Sequence, residues 1–135
     1  MIVADTNLVA YLMIEGDRTA SARRVWERDS DWILPPLWRS EFLNVLATAV
    51  RVGVLDEEQS FHAWLDAVTI FGRREREPGG EAVLRTAIRN RISAYDAQFV
   101  VIAKELGVQL VTGDRKLQKA CEKIAVTIEQ FGDRK

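Results

Sequence analysis

Four carboxylic acids carry the chemical content of this sequence: Asp5, Glu41, Asp96 and Asp114. Asp5 follows the apolar triplet IVA, and Asp114 stands in the turn VTGD, just past the run VQLV. If both runs are parallel strands, both carboxylates emerge at one edge of the sheet, beyond the carboxyl ends where open α/β sheets bind ligands. An Asp before a helix is also a good N-cap, and that alone accounts for either position. Asp96 follows Ser93 at the spacing of a capping box, yet it also heads an apolar stripe of Phe99, Val100 and Ala103. Glu41 cannot be an N-cap. It falls inside a helical pattern with the apolar Leu37, Trp38 and Val45 around it. Its charge therefore reaches the rim of the core, where an unpaired carboxylate is costly. Neither Arg39 nor Arg51 stands at the i±3 or i±4 spacing that pairs charges on a helix.

Convergence of these acids would set a specific chemical problem. Two carboxylates about 4 Å apart repel by roughly 4 kcal/mol at an effective dielectric of 20. A cluster of four needs protons or a cation. Mg²⁺ or Mn²⁺ suits a shell of carboxylates and water, whereas Zn²⁺ usually recruits His or Cys. An acidic cluster of this kind supports phosphodiester hydrolysis by metal-activated water. The composition agrees. His62 is the only histidine, and it lies on the polar side of a helical segment; Cys121 is the only cysteine, so it forms neither an internal disulfide nor a zinc knuckle. A net charge of −1 excludes a strongly basic nucleic-acid coat protein.

The elements that must position these acids alternate along the chain. Short apolar runs at 2–4, 32–34, 108–111 and 125–128 are expected as strands. Helical periodicity covers 6–14, 19–28, 37–51, 81–92, 94–106 and 115–124, and a further helix is expected after the cap Asp56, with Phe61, Trp64, Leu65 and Val68 on one face. Pro35-Pro36 ends the second strand, while Gly53 and Gly107 close helices. Residues 72–80, GRREREPGG, are expected to form an edge strand or a mobile loop. Strands alternating with helices imply βαβ units and an α/β/α sandwich with a short-stranded, mainly parallel sheet. The length of 135 residues suits one domain, 1–135. No apolar run approaches the roughly 18 residues of a membrane span, and the first residues do not read as a signal peptide, so a cytoplasmic location is expected.

Taken together, MIVADTN, SEFLNVL, SAYDAQFVVIAKELG and LVTGDRKL resemble the PIN domain in its VapC-like branch of toxin ribonucleases. The resemblance spans essentially the whole chain. It implies that Asp5, Glu41, Asp96 and Asp114 form a catalytic, metal-binding quartet, with Thr6, Asn44 and Thr112 in support. It also implies Mg²⁺ (or Mn²⁺) as cofactor, RNA as substrate, a small VapB-like antitoxin as partner, and a homodimer. The sequence departs from the commoner pattern at Gly113, which is expected to loosen the turn carrying Asp114, and in the basic stretch 72–80.

Other readings are weaker. A haloacid-dehalogenase-like phosphatase wants a second acid two residues after the first, where this chain has Asn7. An RNase H-like nuclease follows its first Asp with antiparallel strands, whereas a helical pattern follows here. An inactive PIN binding module is disfavoured by the presence of all four acids, and a PIN enzyme of RNA processing by the short chain. Arg39, Arg91, Arg115 and Lys116 lie near the acids in sequence and are candidates for phosphate contact.

Overall fold

The computed structural model describes residues 1–133. Runs of only two or three apolar residues become strands because both of their faces are covered. The strands are β1 (Ile2–Ala4), β2 (Trp32–Ile33), β3 (Leu110–Thr112) and β4 (Ala125–Thr127). All pairings are parallel, in the order β2-β1-β3-β4, with Ala4 opposite Val111. Alternate residues go to opposite sides. Ile2, Ala4, Trp32 and Val111 join one core cluster, while Val3, Ile33 and Leu110 join another.

The helices are α1 (Thr6–Met13), α2 (Thr19–Arg28), α3 (Trp38–Arg51), α4 (Glu57–Phe71), α5 (Gly80–Asn90), α6 (Ala94–Leu106), α7 (Arg115–Ala120) and α8 (Ile128–Gly132). On one side of the sheet, α1 to α4 and α8 pack through Leu8, Val25, Phe42, Phe71 and Ile128. On the other, α6 and α7 pack through Phe99, Ile102 and Leu117. α5 leans on α6 through Val83, Ala87, Ala97 and Val101. This is the three-layer α/β/α arrangement that the alternation of strand and helix implies. The chain runs from β1 to β2 on one side and returns by helices to β3 on the other. The strand order therefore reverses between β1 and β3, which opens a crevice at their carboxyl ends.

The tryptophans serve the core. Trp32 stacks on Phe71 at 5.5 Å, Trp38 meets Phe71 edge-on at 6.0 Å, and Trp26 and Trp64 pack at the margins. Trp38 also explains the basic stretch. Its Nε1 donates to Glu75 Oε2 at 2.7 Å, and Arg39 Nε donates to the same oxygen at 2.6 Å. Leu34 and Glu75 form a single parallel bridge, while Arg74 pairs with Asp31 and Arg76 with Glu105. Residues 72–80 are thus latched beside β2 by one bridge and the ion pairs to Arg39 and Asp31, and to α6 by the pair of Arg76 with Glu105.

Several boundaries differ from the sequence expectation, most by a residue or two. The helix from Arg115 stops at Ala120, because Ile124 and Ala125 donate their N–H groups to Cys121 O in a turn that feeds β4. The strand expected at 108–111 is Leu110–Thr112. The last strand ends at Thr127, whose hydroxyl accepts from Gln130 N–H in a capping box and starts α8. Among the described residues no helix is long and apolar enough to cross a membrane.

Candidate active site

Backbone pairing brings the first carboxylate to its place. Asp5 N–H donates to Val111 O at 3.0 Å, so Asp5 lies level with the end of β3. Its extended backbone makes it the N-cap of α1, and Oδ1 accepts from Thr6 N–H at 2.8 Å. Oδ2 accepts from Thr112 Oγ1 at 2.7 Å and from Asn7 Nδ2 at 3.4 Å. The Thr112 hydroxyl in turn accepts from Asp114 N–H at 3.0 Å. Asp114 caps α7 through the N–H groups of Lys116 and Leu117. Both acids at strand ends are therefore helix caps, and one threonine spanning the crevice ties the side chain of Asp5 to the backbone of Asp114.

Glu41 comes from the first turn of α3 and accepts from Thr6 Oγ1 at 2.7 Å. Neither Arg39 nor Arg51 pairs with it: Arg39 is bonded to Glu75, and Arg51 donates to Thr48. Asp96 stands in the first turn of α6, where Ser93 Oγ accepts from its N–H at 3.0 Å, half of the reciprocal pair suggested by the spacing.

The acids feel one another. Burial pushes the Asp5 carboxyl up to about 7, against the pull of its hydrogen bonds from Thr112 and Thr6, and the charges of Asp96 and Glu41 add to the rise. Burial raises Glu41, which Thr6 lowers in part and Asp96 raises further. Asp96 is raised by burial and by the charge of Asp114. None of the ion pairs among the described residues includes any of the four. The crevice thus collects negative charge from the end of β1, α3, α6 and the turn after β3, and no ion pair among the described residues offsets it. Among the described residues no group of three or more His, Cys, Asp and Glu side chains has the geometry of an ion site.

The supporting residues divide. Thr6 and Thr112 are buried and bonded into the site. Asn44, one turn past Glu41, is exposed and bonded to none of the acids. Asn7 takes the place that Asn44 was expected to fill. Its Nδ2 reaches Asp5, and its Oδ1 accepts from Gly113 N–H at 2.9 Å. The signal for it was present in the triplet Asp5-Thr6-Asn7, since a residue at i+2 of an N-cap can reach back over the crevice.

Gly113 does not loosen its turn. A Cβ there would lie 2.9 Å from Tyr11 Cε2 and 3.3 Å from Asn7 Cγ, so only glycine admits this approach of the turn to α1. Among the basic candidates, Arg39 is committed to Glu75. Arg115 and Lys116 are exposed on the first turn of α7, beside Asp114. Arg91 is exposed and takes a left-handed conformation (φ 53°) as the C-cap of α5.

The sequence pattern of the PIN domain matches residues 2–123. Ribonuclease VapC3 of Pyrobaculum aerophilum is 26% identical over 120 residues, covering 86% of this chain and 91% of its own. Among solved structures, PAE2754 from Pyrobaculum aerophilum superposes with a TM-score of 0.77 at 23% identity, over 97% of this chain and 92% of its own. FitAcB from Neisseria gonorrhoeae superposes with a TM-score of 0.67 at 19% identity, over 95% and 98%.

Proposed function

The chain belongs to the PIN domain family, and from that premise we propose that it is a divalent-metal-dependent endoribonuclease of the VapC type, with Asp5, Glu41, Asp96 and Asp114 as its catalytic and metal-holding acids. The observation that carries the reading is that hydrogen bonds across the chain bring these acids to one crevice and that, among the described residues, none of them enters an ion pair. Their oxygen-only donor chemistry fits Mg²⁺ or Mn²⁺. Asp5, fixed by Thr112 and Asn7, and its neighbours Glu41, Asp96 and Asp114 would hold the ion, directly or through water. When bound, it supplies positive charge beside the phosphorus and lowers the pKa of water.

The protein's own part is to hold and orient. Thr6 joins α1 to α3 by fixing Glu41 Oε1, and Thr112 joins β1 to β3 by fixing Asp5 Oδ2. The half-buried Glu41 and Asp96 bind protons more tightly than ordinary carboxylates. They are suited to take the proton of an attacking water. Arg115 and Lys116, exposed beside Asp114, would meet the phosphates that flank the scissile bond. Attack by water, and not by a ribose 2′-hydroxyl, leaves 5′-phosphate and 3′-hydroxyl ends.

The toxin role, the VapB-like antitoxin and the homodimer follow from the likeness to VapC-type ribonucleases. The apolar side chains left exposed on α4 and α5, among them Phe61, Leu65, Leu84 and Ile88, offer surface for such contacts. The test is cleavage of a mixed RNA pool by purified protein, with end-group analysis. Cleavage should vanish in EDTA, return with Mn²⁺ or Mg²⁺, and be lost in Asp5→Asn and Glu41→Gln. Cyclic-phosphate ends, or cleavage that survives both EDTA and Asp5→Asn, would overturn the mechanism.

A further inference from the structure

Beyond the carboxylate crevice, the outer surface of α5, α6 and α7 carries two adjoining cavities of about 460 and 270 Å³. They share Asn90 and Lys104. Lys119 and Lys123 line the larger, and Arg89 lines the smaller. None of these four cations enters an ion pair among the described residues. In a chain of net charge −1, these four cations outnumber the carboxylates that line the same cavities, Glu122 and Glu105, and Glu105 is itself engaged by Arg76.

Its position relative to the acids is set by α6. Asp96, Val100 and Lys104 follow one another at intervals of four residues, so they share one side of the helix. Val100 and Lys104 line the larger cavity. Lys104 lies eight residues beyond Asp96, about 12 Å along the axis at 1.5 Å per residue. Cys121 lines the same cavity; burial raises its thiol, Asp96 raises it further and Lys104 lowers it. The lysines thus stand toward the far end of α6 from the carboxylates, at the cavity that α6 shares with the end of α7 and the turn after it.

We infer that this Lys104–Lys119–Lys123 cavity is a backbone-phosphate subsite for the single-stranded RNA whose scissile bond lies at the carboxylates. The inference rests on the nuclease reading above and adds where the rest of the strand goes. About 12 Å along α6 places the subsite a few nucleotides from the cleaved bond. Arg89 and Asn90 extend the same surface toward the turn that carries Arg91. Lysines suit this role, since they neutralise phosphate as point charges without reading bases.

The test separates strand binding from cleavage. A labelled single-stranded RNA of about twelve nucleotides is titrated onto Asp5→Asn protein and onto the same protein carrying Lys104→Ala, Lys119→Ala and Lys123→Ala, over a salt series. Three lost phosphate contacts should weaken binding at least about tenfold at low salt and reduce the salt slope by about 2, at roughly 0.7 per contact. Arg23→Ala, on the exposed face of α2, should change neither. Equal affinity and slope in a folded triple variant would overturn the subsite. So would a lysine-dependent shift in melting temperature with inorganic phosphate but no effect on the RNA, which marks a small-anion site. Failure of the nuclease reading shows separately, as wild-type protein that does not cut RNA with Mn²⁺ present.

Discussion

Asp5 accepts three hydrogen bonds, from Thr6 N–H, Thr112 Oγ1 and Asn7 Nδ2. Its carboxyl nevertheless keeps its proton up to about 7, because burial and the neighbouring acids outweigh those bonds. The consequence for stability has a definite sign. Between the ordinary value of 3.8 and about 7, the folded metal-free protein binds this proton and the unfolded chain does not. Stability should therefore fall as pH rises through that window. Asp5→Asn keeps the capping oxygen and removes the charge. In EDTA it should be more stable than wild type at pH 8, by up to about 4 kcal/mol, and the two should converge near pH 4. Urea denaturation at both pH values checks this, and a less stable variant at pH 8 would contradict it. Thr6→Val tests the link to Glu41. Loss of that buried bond should cost about 1 kcal/mol. The Glu41 carboxyl, released from the Thr6 hydroxyl that lowers it, should titrate higher still. The acidic limb of the cleavage profile should then move to higher pH, a change that a purely structural threonine would not produce.

At the scale of elements, the site depends on how closely the turn after β3 approaches α1. Gly113→Ala inserts a Cβ 2.9 Å from Tyr11 Cε2. It should destabilise the protein by about 1–3 kcal/mol, the usual cost of overpacking. It should also lower the cleavage rate by displacing Asp114, and pairing it with Tyr11→Leu should restore part of both. Thermal melts and single-turnover rates on the two variants provide the measurement. The edge of β2 depends instead on Glu75, which holds Trp38 and Arg39. Arg39→Ala should reduce the melting temperature while leaving RNA affinity unchanged, because that guanidinium is already engaged within the protein. A loss of RNA affinity without a change in melting temperature would return Arg39 to the substrate surface.

For the whole molecule, the balance of charge matters more than its sum. Acids from four segments gather at one crevice, while Lys104, Lys119 and Lys123 gather farther along α6 and α7. Addition of Mn²⁺ should raise the melting temperature of wild type at neutral pH. The gain should shrink at pH 5, where protons compete for the carboxylates, and should be lost in Asp5→Asn and Asp96→Asn. Equal gains in all three proteins would place the ion elsewhere. Expression of the wild-type chain alone in bacteria should slow growth, and expression of Asp5→Asn should not. Unimpaired growth with abundant wild-type protein would count against the toxin role while leaving the nuclease reading to its own assay.

What the sequence determined by itself is whatever local spacing encodes. The apolar triplet before Asp5, the helical stripe headed by Asp96, the cap at Asp56 and the stops at Gly53 and Gly107 are decided by neighbours within a turn or two, and the structure has them in place. The parallel sheet followed from the alternation of short strands and long helices. The tertiary structure alone decided which polar groups meet across long separations in the chain. Thr112 reaches Asp5 and Thr6 reaches Glu41, pairings that no periodicity contains, because they arise from the strand order and its reversal between β1 and β3. Arg39 lies two residues from Glu41 in sequence, yet it faces Glu75, since residues two apart on a helix point different ways. Asn44 shares the side of Glu41 by spacing, but the packing of α3 leaves it exposed. Asn7 gained its role because the turn at Gly113 folds down against α1. Local pattern chose the acids; the crossing of distant segments chose their partners.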